Sequence, residues 1–199
     1  MTITVLHRRA GESARPRHPG AAILDLTSRG PQPWVKFSPF YPHGQIAVPG
    51  APGRHAASVE GLWQALKVFE HADVDESKLD ITTMKNIKRG ITKTSGRVLG
   101  HRAGLGDERL LGYIAARYRI YLPAYHFVLT HHLQRELAEL RRIAGAGDLI
   151  LLDYETNTDV DDPTRPLSHA GLVMHYLQDT WPQEPAPAET ESAAETSES

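Results

Sequence analysis

The sequence predicts an α+β fold: a single helix-rich domain around a small β-sheet. Short apolar runs of strand length, Ala22-Ile23-Leu24-Asp25-Leu26 and Leu149-Ile150-Leu151-Leu152, are bounded by turn residues. Between them, apolar residues recur at three- and four-residue steps, which is the period of a helix face. The chain has 199 residues, 40% of them hydrophobic. That is enough for one core and too little for two comfortable ones.

Taken in order, Ile3-Thr4-Val5-Leu6 reads as a short strand. His7 to Gly20 holds four Arg, two His, two Pro and two Gly, which suits a loop with at most one helical turn. Ala22 to Leu26 is the second strand, and Ser28 to Pro33 is turn material. Pro and Gly exclude a helix from Phe37 to Gly53, where Ile46-Ala47-Val48 is a candidate strand edge. Ser58 is a good N-cap for a helix reaching to about His71. Asp73 to Asp80 is an acidic connection. Ile81 to Arg102 is basic, and Gly90, Gly96 and Gly100 cut it into short helical pieces. A helix from Asp107 to Ile120 carries Leu110, Ile114, Arg117 and Tyr118 in helical spacing and ends or kinks at Pro123. Phe127 to Ile143 follows, with Leu129, Leu133, Leu137 and Leu140 on one face and Gly145 as its stop. Leu149 to Leu152 is a buried strand, Asp153 to Ser168 a polar loop, and Ala170 to Asp179 a last helix.

The composition divides the chain. Residues 1–21 read as an N-terminal strand and basic loop, 22–180 as the domain, and 181–199 as a disordered acidic tail of Pro, Ala, Glu, Ser and Thr. The formal net charge is −2. The tail holds Glu184, Glu189, Glu191, Glu195 and Glu198, so the remainder is mildly basic. That balance suits a phosphate-bearing ligand and is too small to argue nucleic-acid binding by itself. Without cysteine there is no disulfide framework and no thiolate metal site. No segment has the length of a bilayer span. The expectation is a soluble, cytoplasmic protein without a membrane partner.

Chemistry concentrates in Ser58-Val59-Glu60-Gly61-Leu62-Trp63-Gln64-Ala65-Leu66-Lys67-Val68-Phe69. Val59, Leu62, Leu66 and Phe69 share one helical face. Glu60, Gln64 and Lys67 share another, with Trp63 at the border. An acid, an amide and an amine beside an indole can make a site for a flat polar ligand. The same residues also suit a plain helix, because a first-turn Glu is favoured by the helix dipole and Gln and Lys are good helix formers.

This segment and the preceding Phe37-Ser38-Pro39-Phe40-Tyr41-Pro42 together resemble the paired motifs of the NADAR, or YbiA-like, family: an FSNFYP-like segment followed by a PSEHxYQAxKF-like helix. Glu60, Gln64, Lys67 and Phe69 fall in register. Pro39 stands where the family often has Asn, Gly61 where it has His, and Trp63 where it has Tyr or Phe. Fainter similarity continues through Leu99-Gly100, Tyr113 to Tyr118, Leu151-Leu152-Asp153 and Leu172-Val173-Met174.

The resemblance implies a YbiA-like fold and an activity on bonds between ribose and a base nitrogen, or binding of NAD- and ADP-ribose-like ligands. It aligns Glu60 with the family's catalytic Glu. Lys67 would form a Schiff base or hold a phosphate, and Gln64 would orient a ribose hydroxyl. Asp159 is the nearest match to an acidic residue that the family carries before a Trp-Gly pair, a pair absent here. Phe37, Phe40, Tyr41 and Trp63 would wall the pocket, although each also fits a plain core. The implied partner is a small nucleotide-like molecule, or nucleic acid as an ADP-ribosylated substrate. No cofactor is implied. His126, His131 and His132 fit no common zinc spacing, so no metal is expected. Lys85, Lys88, Arg89, Lys93 and Arg97 could grip a pyrophosphate or a nucleic-acid backbone, or form a solvated face.

Overall fold

The computed structural model describes residues 2–186. They form a single compact α+β domain. In chain order the strands are β1 (Ile3–His7), β2 (Ala22–Asp25), β3 (Ile46–Ala47), β4 (His55–Ala56), β5 (Lys67–Phe69), β6 (Val98–Arg102), β7 (Leu110–Leu111) and β8 (Leu149–Asp153). The helices are α1 (Gly11–Ala14), α2 (Val59–Ala65), α3 (Tyr113–Ala116), α4 (Leu122–His131), α5 (Gln134–Ala146) and α6 (His169–Leu177).

Three small sheets replace the single expected one. The first is parallel, in the order β1-β8-β2, with Val5 and Leu24 both in register with Leu151. β8 runs down its centre and is buried at every residue, which explains its uninterrupted apolar run. Since β1 is an edge of this sheet, residues 1–21 are not a separate N-terminal segment. β3 and β4 form a two-stranded ribbon, and β5-β6-β7 form an antiparallel sheet. Around these lies one main core that includes Leu62, Leu66, Tyr125, Leu129, Leu137 and Leu172.

Several helices differ from expectation. α2 stops at Ala65, and Lys67 to Phe69 form a strand rather than a further helical turn. The apolar period continues through Phe69 only because a strand leaving the helix end also buries Val68 and Phe69. The basic stretch is irregular until Val98, where β6 begins, and contains no helix. Leu110 and Leu111 belong to β7, so the next helix starts at Tyr113.

Pro123 ends nothing. Arg117–Tyr121 form a π-helical turn in which the Leu122 N–H donates to the Arg117 carbonyl. This wider turn places Pro123 at the start of α4, where its missing N–H does no harm. The expected helix from Phe127 to Ile143 is two, broken at His132 and Leu133.

The polar loop 154–167 is tied down by Arg117, whose side chain is buried. Its Nη1 donates to the carbonyls of Val160 (2.7 Å) and Asp162 (2.7 Å), and its Nη2 to that of Arg165 (2.6 Å). The guanidinium lies over the Tyr113 ring, 4.3 Å from its centroid. Arg117→Met is therefore expected to cost about 2–4 kcal/mol in urea unfolding, because carbonyls lose charge-assisted partners. Limited proteolysis should then cut first within 158–166.

The expected acidic tail begins later than residue 181. The Trp181 ring packs on His126 at 5.0 Å, and Arg119 Nε donates to Glu184 at 2.9 Å. Its remainder, 187–199, lies outside the described residues.

Candidate functional site

A cleft of about 570 Å³ opens between α2, the β5-β6-β7 sheet, the π-helical turn and the loop before α6. Glu60, Trp63, Gln64 and Lys67 all line it. α2 aims Glu60, Trp63 and Gln64, and its first turn is fixed by two contacts. Ser58 Oγ caps it by accepting from the Gly61 N–H at 3.0 Å, and the Glu60 N–H donates to Pro39 O at 2.9 Å. Gly61 has a steric cause: a Cβ there would meet the Lys78 carbonyl oxygen at 2.7 Å. A side chain such as His has no room at this position.

Glu60 is only 7% exposed. Its Oε1 accepts from Gln64 Nε2 at 2.8 Å. Its Oε2 has no protein donor and is not sealed from solvent, so it faces the cleft. Burial pushes the Glu60 carboxyl up; the Gln64 hydrogen bond, Lys88, Lys67 and His169 only partly oppose this. Such a carboxylate is a stronger base than an ordinary one.

Gln64 is a strut. Besides holding Glu60, its Oε1 accepts from the Arg89 N–H at 2.9 Å. This use differs from the expected contact to a ribose hydroxyl. Arg89 is likewise committed, donating from Nη1 to the carbonyls of Lys67 (2.6 Å) and Gln64 (3.1 Å) and from Nη2 to Asp73 O (2.7 Å). The cations left to meet a ligand are Lys67 and Lys88. Burial lowers the Lys67 pKa against the pull of Glu60, and Arg89 and Lys88 lower it further. Lys88 sits over the Phe40 ring at 5.4 Å.

The proline-rich aromatic segment supports the site without lining it. Phe37 is buried in the core, and its carbonyl accepts from Tyr125 OH at 2.6 Å. Tyr41 packs on His43 at 4.8 Å. Phe37, Phe40 and Tyr41 are thus outside the cleft lining, which corrects the expected aromatic wall. Tyr113, Tyr121 and His101 supply the ring surfaces beside Trp63 instead.

Asp159 is also outside the cleft. It is exposed, and its Oδ1 accepts from the Asp161 N–H at 2.9 Å, an ordinary loop-closing contact. It cannot act opposite Glu60.

Three residues outside the expected site set matter here. Asp153, at the carboxyl end of β8, accepts at Oδ2 from Ser168 Oγ (2.7 Å) and the Ala170 N–H (3.2 Å), and pairs with His169 Nδ1 at 3.0 Å. His169 Nε2 lies 2.9 Å from Leu26 O. Both nitrogens of His169 face acceptors, so only the imidazolium satisfies both. Burial alone would depress its pKa, yet Asp153 and these hydrogen bonds carry it above the ordinary value. The third is His101, directly across the ladder from Lys67. Burial, then Lys67 and Arg89, take its pKa down to about 3.

His126, His131 and His132 make separate ring contacts, to Trp181, Phe127 and His43. No group of three or more His, Cys, Asp or Glu among the described residues could hold a metal ion. No helix among them is long and apolar enough to cross a membrane.

No curated protein and no solved structure matches the chain. One family does match, over residues 6–173, and that span begins inside β1 and ends inside α6. The matched span therefore takes in the parallel sheet, the cleft and the Asp153–His169 pair, and the chain belongs to DUF6939, a family of unknown function.

Proposed function

We propose that the cleft is the active site of a cytoplasmic N-glycoside hydrolase of the NADAR (YbiA-like) type. Its substrate is a ribosylated nucleotide-like compound: an ADP-ribosylated base, free or in nucleic acid, an NAD-related metabolite, or a riboflavin-pathway intermediate. The observation that carries this reading is Glu60, a buried carboxyl with one oxygen held by Gln64 and the other open to the cleft.

Cleavage of a C–N glycosidic bond builds positive charge at C1′. Glu60 can stabilise that charge and take the proton of an attacking water as its oxygen bonds to C1′. The departing base nitrogen needs a proton in return. Lys67 suits this role better than Asp159, since it lines the cleft and burial makes its ammonium a readier acid. Lys88 is placed for a phosphate.

Incubation with NAD, ADP-ribose, ADP-ribosylated guanine DNA and ribosylated pyrimidine precursors, read by mass spectrometry, tests the proposal. Release of free base from at least one of them is expected. Substrates that all return intact, at enzyme concentrations sufficient for a single turnover, would refute hydrolysis.

One observation favours a second reading, a non-catalytic ADP-ribose- or NAD-binding module. Among the described residues, Glu60 is the sole carboxylate lining the cleft, and no second acid among them faces it. Tight binding without base release would select this alternative.

A further inference from the structure

The two faces of the parallel sheet are packed unequally. Leu149 and Leu151 join the main core, while Ile150 and Leu152, alternating with them, belong to a separate small cluster on the other face. Parallel sheets ordinarily carry helices on both faces. Here the second face is packed by α1, four residues long, and its buried cluster consists of Ala14, Ile150 and Leu152. At the carboxyl end of that face the chain leaves a cavity of about 450 Å³, floored by Ile23 and Leu152 and bordered by Trp34. A space of this size suits a small molecule. It shares no lining residue with the cleft that holds Glu60.

The facing wall is cationic. Arg8, Arg9 and Arg15, from the basic segment after β1, all line it. Arg8 is held in place: its Nε donates to Asp25 Oδ2 at 2.7 Å, and Asp25 Oδ1 accepts from the Thr27 N–H (3.0 Å) and Oγ1 (2.6 Å). Both terminal nitrogens of Arg8 lack an acceptor among the described residues and are not sealed from solvent. Arg9 pairs with no carboxylate among those residues. Arg15 approaches one only at 3.9 Å, on Glu12, whose side chain is 94% exposed. Gathering cations this way costs electrostatic energy, which a bound anion offsets. Trp34 stacks on Phe37 at 6.4 Å and stays half-buried, which leaves part of its indole for a ligand.

We propose that this cavity is a second ligand site, for a phosphate monoester carried on a flat apolar body. With Arg8 answered by Asp25, Arg9 and Arg15 are two uncompensated cations, and a phosphate monoester near neutral pH carries close to two negative charges. The phosphate sits among the three guanidiniums, whose planar forks match its oxygens. The apolar body lies on Ile23 and Leu152 beside the Trp34 ring. The site is separate from the hydrolase reading of the cleft and stands or falls without it.

The test is calorimetry on the full chain at low ionic strength, with 1-naphthyl phosphate as the probe. The controls are 1-naphthol, 1-naphthoate and inorganic phosphate. The probe should bind wild type more tightly than any control, and added salt should weaken it. Arg9→Gln combined with Arg15→Gln should weaken it about tenfold or more, through the loss of charge-assisted hydrogen bonds. Both side chains are exposed, so this variant should keep the wild-type circular dichroism and melting temperature. Lys88→Gln, in the cleft, should leave the probe's affinity unchanged.

Each control can overturn the proposal by matching the probe. Equal binding of 1-naphthol would leave the guanidiniums idle, and equal binding of inorganic phosphate would leave the apolar floor idle. Equal binding of 1-naphthoate would remove the preference for a dianion. Affinity lost in Lys88→Gln but kept in the double arginine variant would put the probe in the cleft and refute a second site. So would a wild-type protein that does not bind the probe. None of these outcomes depends on whether a glycosidic bond is cleaved.

Discussion

Glu60→Gln should lower turnover by about 10²–10⁴-fold and at the same time raise the melting temperature. The first effect follows from losing the only carboxylate that the described residues bring to the cleft, the group that would accept a proton from water. The second follows from the sign of its titration. Burial raises the Glu60 pKa above that of the unfolded chain, where it is near 4.5. Its contribution to stability is therefore fully present below that pH and is lost as pH rises through the folded value. At neutral pH the ionised side chain destabilises the fold, and a neutral amide does not. Gln at this position can still accept from Gln64 Nε2, so α2 and the Arg89 loop should keep their places. Stability gained with activity lost marks a group held for chemistry. A variant that keeps wild-type turnover would remove Glu60 from the mechanism, and one that melts lower would show that the charge supports the fold.

His169→Leu should cost about 3–5 kcal/mol, since it leaves the Asp153 carboxylate buried without its cationic partner. The pair also sets a pH window. His169 is raised, so its contribution is complete below about 6.5 and declines as pH climbs through the higher folded value. Asp153 is lowered to about 2, chiefly by His169 working against burial. Its contribution is present above 3.8 and is lost as pH falls below that through about 2. Urea unfolding of the wild type should therefore show the pair's full effect between about pH 4 and 6.5. His169→Leu should lose most in that window and flatten the profile on its alkaline side. Asp153→Asn with His169 intact should weaken the same window from the acid side. Profiles parallel to wild type would mean that the pair does not titrate with folding.

Two strands of the parallel sheet could be read from the sequence, β8 because it is buried at every residue and β2 because its short apolar run is bounded by turn residues. Leu149 to Leu152 and Ala22 to Leu26 leave little choice but strand. The Glu60 face of α2 was equally readable, since spacing alone puts Glu60 and Gln64 on one stripe. Lys67 reached the same cleft by a route that spacing did not predict, from the first residue of β5. The apolar period had blurred the helix end, because Phe69 is buried in either conformation. Leu110 and Leu111 misled for a similar reason: a two-residue strand has too little pattern to compete with the helix beside it.

The missed site residues fall into two kinds. Arg117 stood in phase with Leu110 and Ile114, and a charge in an apolar phase is a readable sign of a buried guanidinium. His101 and the Asp153–His169 pair gave no such sign. Their partners lie at a sequence distance, and only the folded chain brings Asp153 to Ser168 and His169, or lays His101 on Trp63.

Arg117 grips its loop entirely through main-chain oxygens, those of residues 160, 162 and 165. Such an anchor is indifferent to which side chains the loop carries. Substitutions at the exposed positions of this stretch can reshape what the far rim presents, including around Pro166 and Leu167, while the path of the chain stays put. Loop variants that redirect ligand choice should be obtainable at its exposed positions without a refolding penalty, provided Arg117, Asn157 and Val160 are left alone.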